Sequence, residues 1–258
     1  MTVGEIYNFL DEIAPFSYQD KSDNSGLLVG DSTIEVKKIL VCLDVTNEVV
    51  TEAVGKGVNL IIAHHPQMYR PISRIPGKDP LHALIRNNIS LIAAHTNLDI
   101  AVGGIADLML KKLGFPESST SVLPMNPDGK GYGRIVDLDT PVSTGELVRK
   151  CKEAFGCTVV RYVDSGKAIS KVGVSSGRSN ESVDAALYAG CDAFICGEVI
   201  HEKMLFAADY GLTLIEVGHF HSEDIYCEDL VDRLKSRFKG LEVEKASNSA
   251  DVCKYLFS

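Results

Sequence analysis

The chain lacks tryptophan, carries no CxxC pair among its seven cysteines and has no run of basic residues. The cysteines are odd in number and mostly sit among aliphatic residues, as in Ile39-Leu40-Val41-Cys42-Leu43 and Phe194-Ile195-Cys196, so they read as buried, reduced thiols of a cytoplasmic protein. With 26 basic against 35 acidic residues the formal charge is −9, and neither a nucleic-acid backbone nor an anionic membrane is an expected partner. Long hydrophobic runs are missing too: residues 39–43 and 91–94 are strand-sized, whereas a membrane span takes about 18 residues. Glycine and proline, 22 and 9 of 258 residues, are too few for collagen or low-complexity sequence, and an apolar fraction of 45% excludes disorder. What is left is a globular chain long enough to bury roughly three quarters of its unfolded surface.

Thr2 and Glu5 have capping-box spacing, and Val3, Ile6, Leu10 and Ile13 recur at helical intervals. A secretory signal would have a basic start and an unbroken apolar centre, so a first helix is expected instead. After the polar turn Asp23-Asn24-Ser25-Gly26, short aliphatic runs alternate with longer amphipathic ones, the pattern of an α/β fold. Strands are expected at 39–43, 58–63 and 89–94, and helices over 47–53 and from the Asp79-Pro80 cap onward. The second strand stops at His64-His65-Pro66, and the third runs into His95-Thr96-Asn97-Leu98-Asp99. Residues 124–133 are the richest in breakers and mark an internal boundary. Beyond them strands are expected near 134–138, 158–163, 171–174, 193–196 and 213–217, with helices over 143–155, 180–188 and 201–210. The last strand delivers Gly218-His219-Phe220-His221-Ser222-Glu223 to a long helix reaching Phe238.

Ligands of open α/β sheets bind at the carboxyl ends of strands, and five of the seven histidines lie there: His64, His65, His95, His219 and His221. Consecutive side chains on extended backbone diverge, so His64 and His65 are poorly suited to one ion but can each hold one of two. His219 and Glu223 are four positions apart, on one helical face if the last helix starts near 219. A carboxylate there can bridge two ions, or can simply complement the positive end of the helix.

These residues resemble the NIF-three-like family, whose members are often labelled GTP cyclohydrolase I type 2 homologues. The resemblance rests on Asp23-Asn24-x-Gly26-Leu27, His64-His65-Pro66, His95-Thr96-Asn97-Leu98-Asp99, Gly197-Glu198 with His201, and Gly218-His219-Phe220-x-Ser222-Glu223, in family order over most of the chain. It implies a three-layer α/β/α fold with two related lobes and mixed sheets. It also implies two divalent metal ions ligated by His64, His65, Asp99, His219 and Glu223, with Glu223 as the bridge, and a ring-shaped homohexamer. For the last ligands to reach the first, 1–124 plus 212–258 would form the metal-binding lobe and 125–211 the second. Zinc, iron, manganese and nickel all suit three imidazoles and two carboxylates.

Two such ions bring four positive charges and the two acids return two negatives, so the centre favours an anionic, nucleotide-like or phosphate-containing small substrate. His95, Glu198 and His201 are the candidates for orienting that substrate or moving protons. The family label specifies opening of the guanine ring of GTP, but no residue quoted above reads a guanine base. A non-catalytic metal-binding or regulatory interaction protein is the competing reading. Gly173-Val174-Ser175-Ser176-Gly177 also matches GxSxG, and a serine hydrolase needs it to form a strand-to-helix elbow. Gly129-Lys130-Gly131-Tyr132-Gly133 lacks the ending of a phosphate loop and reads as a linker.

Overall fold

The structure, a computed structural model, describes residues 1–256. In chain order its elements are helix α1 (Val3–Ile13), strands β1 (Gly26–Val29) and β2 (Lys38–Cys42), α2 (Asn47–Gly55), β3 (Leu60–Ala63), α3 (Pro80–Arg86), β4 (Ser90–Ala93), α4 (Thr96–Ile100) and α5 (Ile105–Leu113). There follow β5 (Leu123–Pro124), β6 (Gly131–Tyr132), β7 (Arg134–Val142), α6 (Thr144–Phe155), β8 (Arg161–Val163), β9 (Ile169–Arg178), α7 (Asn180–Tyr188) and β10 (Ala193–Glu198). The chain ends with α8 (His201–Tyr210), β11 (Thr213–Glu216), α9 (His219–Glu223), α10 (Ile225–Arg237) and β12 (Glu242–Lys245). Two compact units result, one of Met1–Leu98 with Tyr226–Ala250, the other of Asp99–Ile225 with the residues from Asp251 on.

The first unit is built on a sheet of order β1-β4-β3-β2-β12, parallel except for the antiparallel edge strand β1. Its three central strands are apolar over 39–42, 60–63 and 91–93 because both faces are covered there, as parallel sheets require. Leu40, Cys42, Ile61, Ala63 and Leu91 pack with Val49, Val50 and Ala53 of α2 and Leu84 of α3. Helix α1 is opened by the expected capping box: Thr2 N–H donates to Glu5 Oε2 at 2.6 Å and Glu5 N–H to Thr2 Oγ1 at 3.3 Å. Helix α10 buries Tyr226, whose hydroxyl donates to the carbonyl of Cys42 at the end of β2.

The second unit carries a sheet of order β7-β9-β10-β11-β8, with parallel β9, β10 and β11 and antiparallel edges. Strand alternation divides its core into two faces. Ala193 and Ile195 point to Met109 and Leu110 of α5 and Leu147 and Cys151 of α6, while Phe194 and Cys196 point to Val183 and Ala186 of α7 and Met204 and Ala207 of α8. This is a three-layer α/β/α arrangement with a mixed sheet.

Several expectations change in detail. Strand β9 runs without a break through Ser175, Ser176 and Gly177, and Ser175 is buried within it, so the GxSxG stretch is no nucleophile elbow. The segment expected as the start of one long helix divides into α9 and α10, and the residues after His95 form the short helix α4. Residues 99–124 and 212–225 group with the second unit, not the first: α5 packs on β9, and β11 pairs with β10. Among the described residues no helix is long and apolar enough to cross a membrane.

Candidate metal centre

In the first unit the parallel register sets the site. Cys42 stands beside Ala63, and continuing both strands by two residues brings Asp44 level with His65. His65 Nδ1 accordingly sits 2.7 Å from Asp44 Oδ1. On the antiparallel side Gly26 faces Ala93, which brings Asp23 level with Thr96. Asp23 Oδ1 lies 2.8 Å from His95 Nδ1, and its other oxygen accepts from Thr96 N–H at 3.1 Å and Ser25 Oγ at 2.9 Å. Burial alone would raise the pKa of Asp23, but the bonds from His95 and Thr96 outweigh it and hold this carboxyl well below the ordinary range. His64 is fully buried, and its Nδ1 lies 2.8 Å from the carbonyl of Ala94. A carbonyl can only accept, so Nδ1 carries the proton and Nε2 is the lone-pair end.

All three imidazoles are thus held by an oxygen at Nδ1, the anchoring that metal-binding histidines use to fix ring orientation and tautomer. Their ring centroids are 5.1 to 5.5 Å apart, and one ligand atom of each lies within 4.8 Å of the others. Imidazole nitrogens oriented in this way, those of His64 and His65, fit a divalent transition-metal ion.

In the second unit Glu223 and His219 face each other one helical turn apart, with His219 Nε2 2.9 Å from Glu223 Oε2. His219 Nδ1 is 3.0 Å from Glu198 Oε1, so the residue expected to transfer protons also orients this imidazole. Asp99, 8% exposed, accepts a hydrogen bond from Ser176 Oγ at 3.1 Å. Ser222 Oγ accepts from Gly177 N–H at 3.0 Å and donates to the His219 carbonyl at 2.8 Å, tying the end of β9 to α9. Gly177 has φ +57°, and a Cβ there would lie 2.1 Å from Glu223 Oε1. Only glycine leaves Glu223 its place. His201 opens α8 exposed, and among the described residues no hydrogen bond or ion pair joins it to His219, Glu223 or Glu198. His221 Nε2 faces Asp251 at 3.6 Å instead of the acid of Glu223.

The anchors Asp44, Ser176, Gly177 and Ser222 escape a reading by residue type, because each serves through its register with a ligand-bearing segment. Asp44 could have been found by aligning the ends of the first two parallel strands.

Residues 1–251 match the family model described as Duf34/NIF3 (NGG1p interacting factor 3). The chain is 33% identical to a GTP cyclohydrolase 1 type 2 homolog of Clostridium perfringens over 92% of both chains, and 30% identical to a protein NIF3 homolog of Schizosaccharomyces pombe over 90% of both. Among solved structures, a Staphylococcus aureus hypothetical protein superposes with a TM-score of 0.90 at 26% identity, covering 99% of each chain. Reduced HcgD from Methanocaldococcus jannaschii superposes with a TM-score of 0.83 at 27% identity, over 96% of this chain and 98% of that one.

Proposed function

The chain belongs to the Duf34/NIF3 family, and on that premise we propose that it is a metal-dependent hydrolase acting on a nucleotide- or phosphate-containing substrate. The observation that carries this reading is the pair of imidazoles of His64 and His65, each anchored at Nδ1, with the likewise anchored His95 gathered beside them within 4.8 Å. In the proposal His64, His65, Asp99, His219 and Glu223 would hold two divalent ions, with Glu223 as the ligand that both would share. The name GTP cyclohydrolase 1 type 2 homolog, borne by the bacterial relative, supports a nucleotide as the substrate class.

Divalent ions held there would supply Lewis acidity and a source of hydroxide near neutral pH. The chain's own residues do the rest. Asp23, held ionised, fixes the Nδ1 proton of His95 and leaves Nε2 to take or return a proton at the substrate. Glu198 holds His219 in the orientation that faces Glu223. The exposed His201 is left for substrate orientation.

The test is elemental analysis together with a hydrolysis screen over phosphate esters and nucleotides, on wild type and His65→Ala. Two metal equivalents per chain and a turnover that His65→Ala abolishes without loss of fold are expected. Metal occupancy with no turnover would overturn the enzymatic reading in favour of a metal-binding interaction protein, a role that the family's description as an interacting factor supports. The assembly we propose is a homohexamer, which light scattering should find at about six times the chain mass of 28.0 kDa.

A further inference from the structure

Between Ala63 at the end of β3 and Pro80 at the start of α3 run 16 residues without helix or strand. Connections that long in a compact unit are uncommon, and those that persist are usually either functional loops or linkers. Composition separates this one from the rest of the chain. Residues 66–78 carry Arg70, Arg74 and Lys78 and no acid, in a protein whose net charge is −9. Among the described residues none of these three cations is in an ion pair, and all three are exposed. Pro66, Pro71 and Pro76 pre-set the backbone at intervals of five residues, lowering the entropy lost when the segment is held in one shape. Asn24 Nδ2 donates to the carbonyl of Met68 at 2.6 Å and pins the backbone next to Tyr69.

Tyr69 is the pivot. Its ring centroid lies 5.6 Å from that of His95, yet the residue is 50% exposed. The phenol thus stands at 78° to the His95 ring, against the imidazole cluster, with half of the residue still accessible to a ligand. We propose that the 67–78 segment is the recognition arm of the site, taking an aromatic phosphate ester of nucleotide type: Tyr69 stacks on the ring, and Arg70 and Arg74 meet the phosphate. This rests on the metal-site reading above only for what happens to the ligand afterwards. Recognition itself needs the arm alone.

The experiment is calorimetric titration of the full chain with guanosine 5′-monophosphate and with ribose 5-phosphate, which has the same sugar and phosphate but no ring, in metal-loaded and chelator-stripped protein. Wild type should bind the nucleotide more tightly than the sugar phosphate. Tyr69→Leu should lose roughly tenfold or more toward the nucleotide, the weight of one stacked base, and leave ribose 5-phosphate binding unchanged. Tyr69→Phe, which keeps the ring, should retain the preference. Arg70→Gln with Arg74→Gln should weaken both ligands by a similar factor and flatten the salt dependence. No nucleotide binding, no preference for the ringed ligand, or an unchanged preference in Tyr69→Leu of unaltered melting temperature would overturn the proposal. A ring-dependent factor that persists in chelator, in a protein that turns nothing over, supports the arm while refuting the hydrolase. Turnover with a silent Tyr69→Leu does the reverse.

Discussion

Replacing Gly177 by alanine separates the site from the scaffold that holds it. At φ +57° any L-residue pays for left-handed backbone, about 1–2 kcal/mol. At this size that lowers the melting temperature by about 2–4 °C for each kcal/mol. Gly156, the C-cap of α6 at φ +64°, pays the same backbone cost, but a Cβ there meets nothing within 4 Å. The comparison therefore cancels the strain. What remains at position 177 is the contact itself: the new methyl would stand 2.1 Å from Glu223 Oε1 and 3.2 Å from its carboxyl carbon. A carbon–oxygen pair so placed is about 1 Å inside van der Waals contact, so the carboxylate of Glu223 must move by that much. With Glu223 as a metal ligand, a disturbance of this kind costs about 10- to 100-fold in metal affinity, the range seen when a ligand's support is removed. The assay is titration of stripped Gly177→Ala, Gly156→Ala and wild-type protein with zinc or manganese, with melting curves taken in chelator. Metal affinities of the two variants within about twofold of each other would refute the assignment of Glu223.

Asp44→Ala removes the oxygen that orients His65, and because the Asp44 side chain is half exposed the loss of metal affinity should lie near the lower end, about tenfold, by the same titration. Glu52 ties α2 to the segment after β12, accepting from Ser247 N–H at 3.0 Å and Asn248 N–H at 2.9 Å and pairing with Lys56 at 2.7 Å. Despite burial, which raises its pKa, these partners bring Glu52 down to about 2 from an ordinary 4.5. Its folded pKa is depressed, so its contribution is whole above pH 4.5 and is lost as pH falls toward 2. The melting-temperature gap between wild type and Glu52→Gln should accordingly close over that interval, and a constant gap would refute the linkage. Burial pushes the Cys151 thiol up to about 12 and those of Cys157 and Cys191 to about 11. Of the seven cysteines only Cys253 is exposed, so a thiol reagent should titrate one group in the native protein and seven after unfolding.

The α/β alternation was readable because both sheets put aliphatic runs where strands are buried on two faces, and the helices between them keep a 3.6-residue stripe with conventional caps at Thr2, Asp79 and Ser143. The edge strands were not. Strands β1 and β12 are four residues each, half-buried, and take their strand character from pairing with β4 and β2. Helix α5 was passed over although its apolar spacing is regular, and with it the grouping of 99–124 with the second sheet. The histidines and acids announced themselves by clustering at strand ends. Their supports did not, since Asp44 and Ser176 belong to the commonest surface types and matter only through what stands beside them.

His64 and His65 condense that difference. From the chain alone, adjacent side chains on extended backbone point apart, and two imidazoles in a row argue for two separate tasks. In the structure β3 ends at Ala63, and the two rings lie 5.1 Å apart at an interplanar angle of 44°. The divergence is undone from outside the pair, by Ala94 drawing the Nδ1 of His64 toward β4 and Asp44 drawing that of His65 toward β2. With the Nδ1 atoms of His64 and His65 held on opposite sides and His95 held by Asp23, one ligand atom of each ring lies within 4.8 Å of the others. Convergence of neighbouring ligands is thus a property of four strands in register, β1 to β4, and removing the side-chain anchor Asp44 or Asp23 should splay its own imidazole while leaving the other two in place.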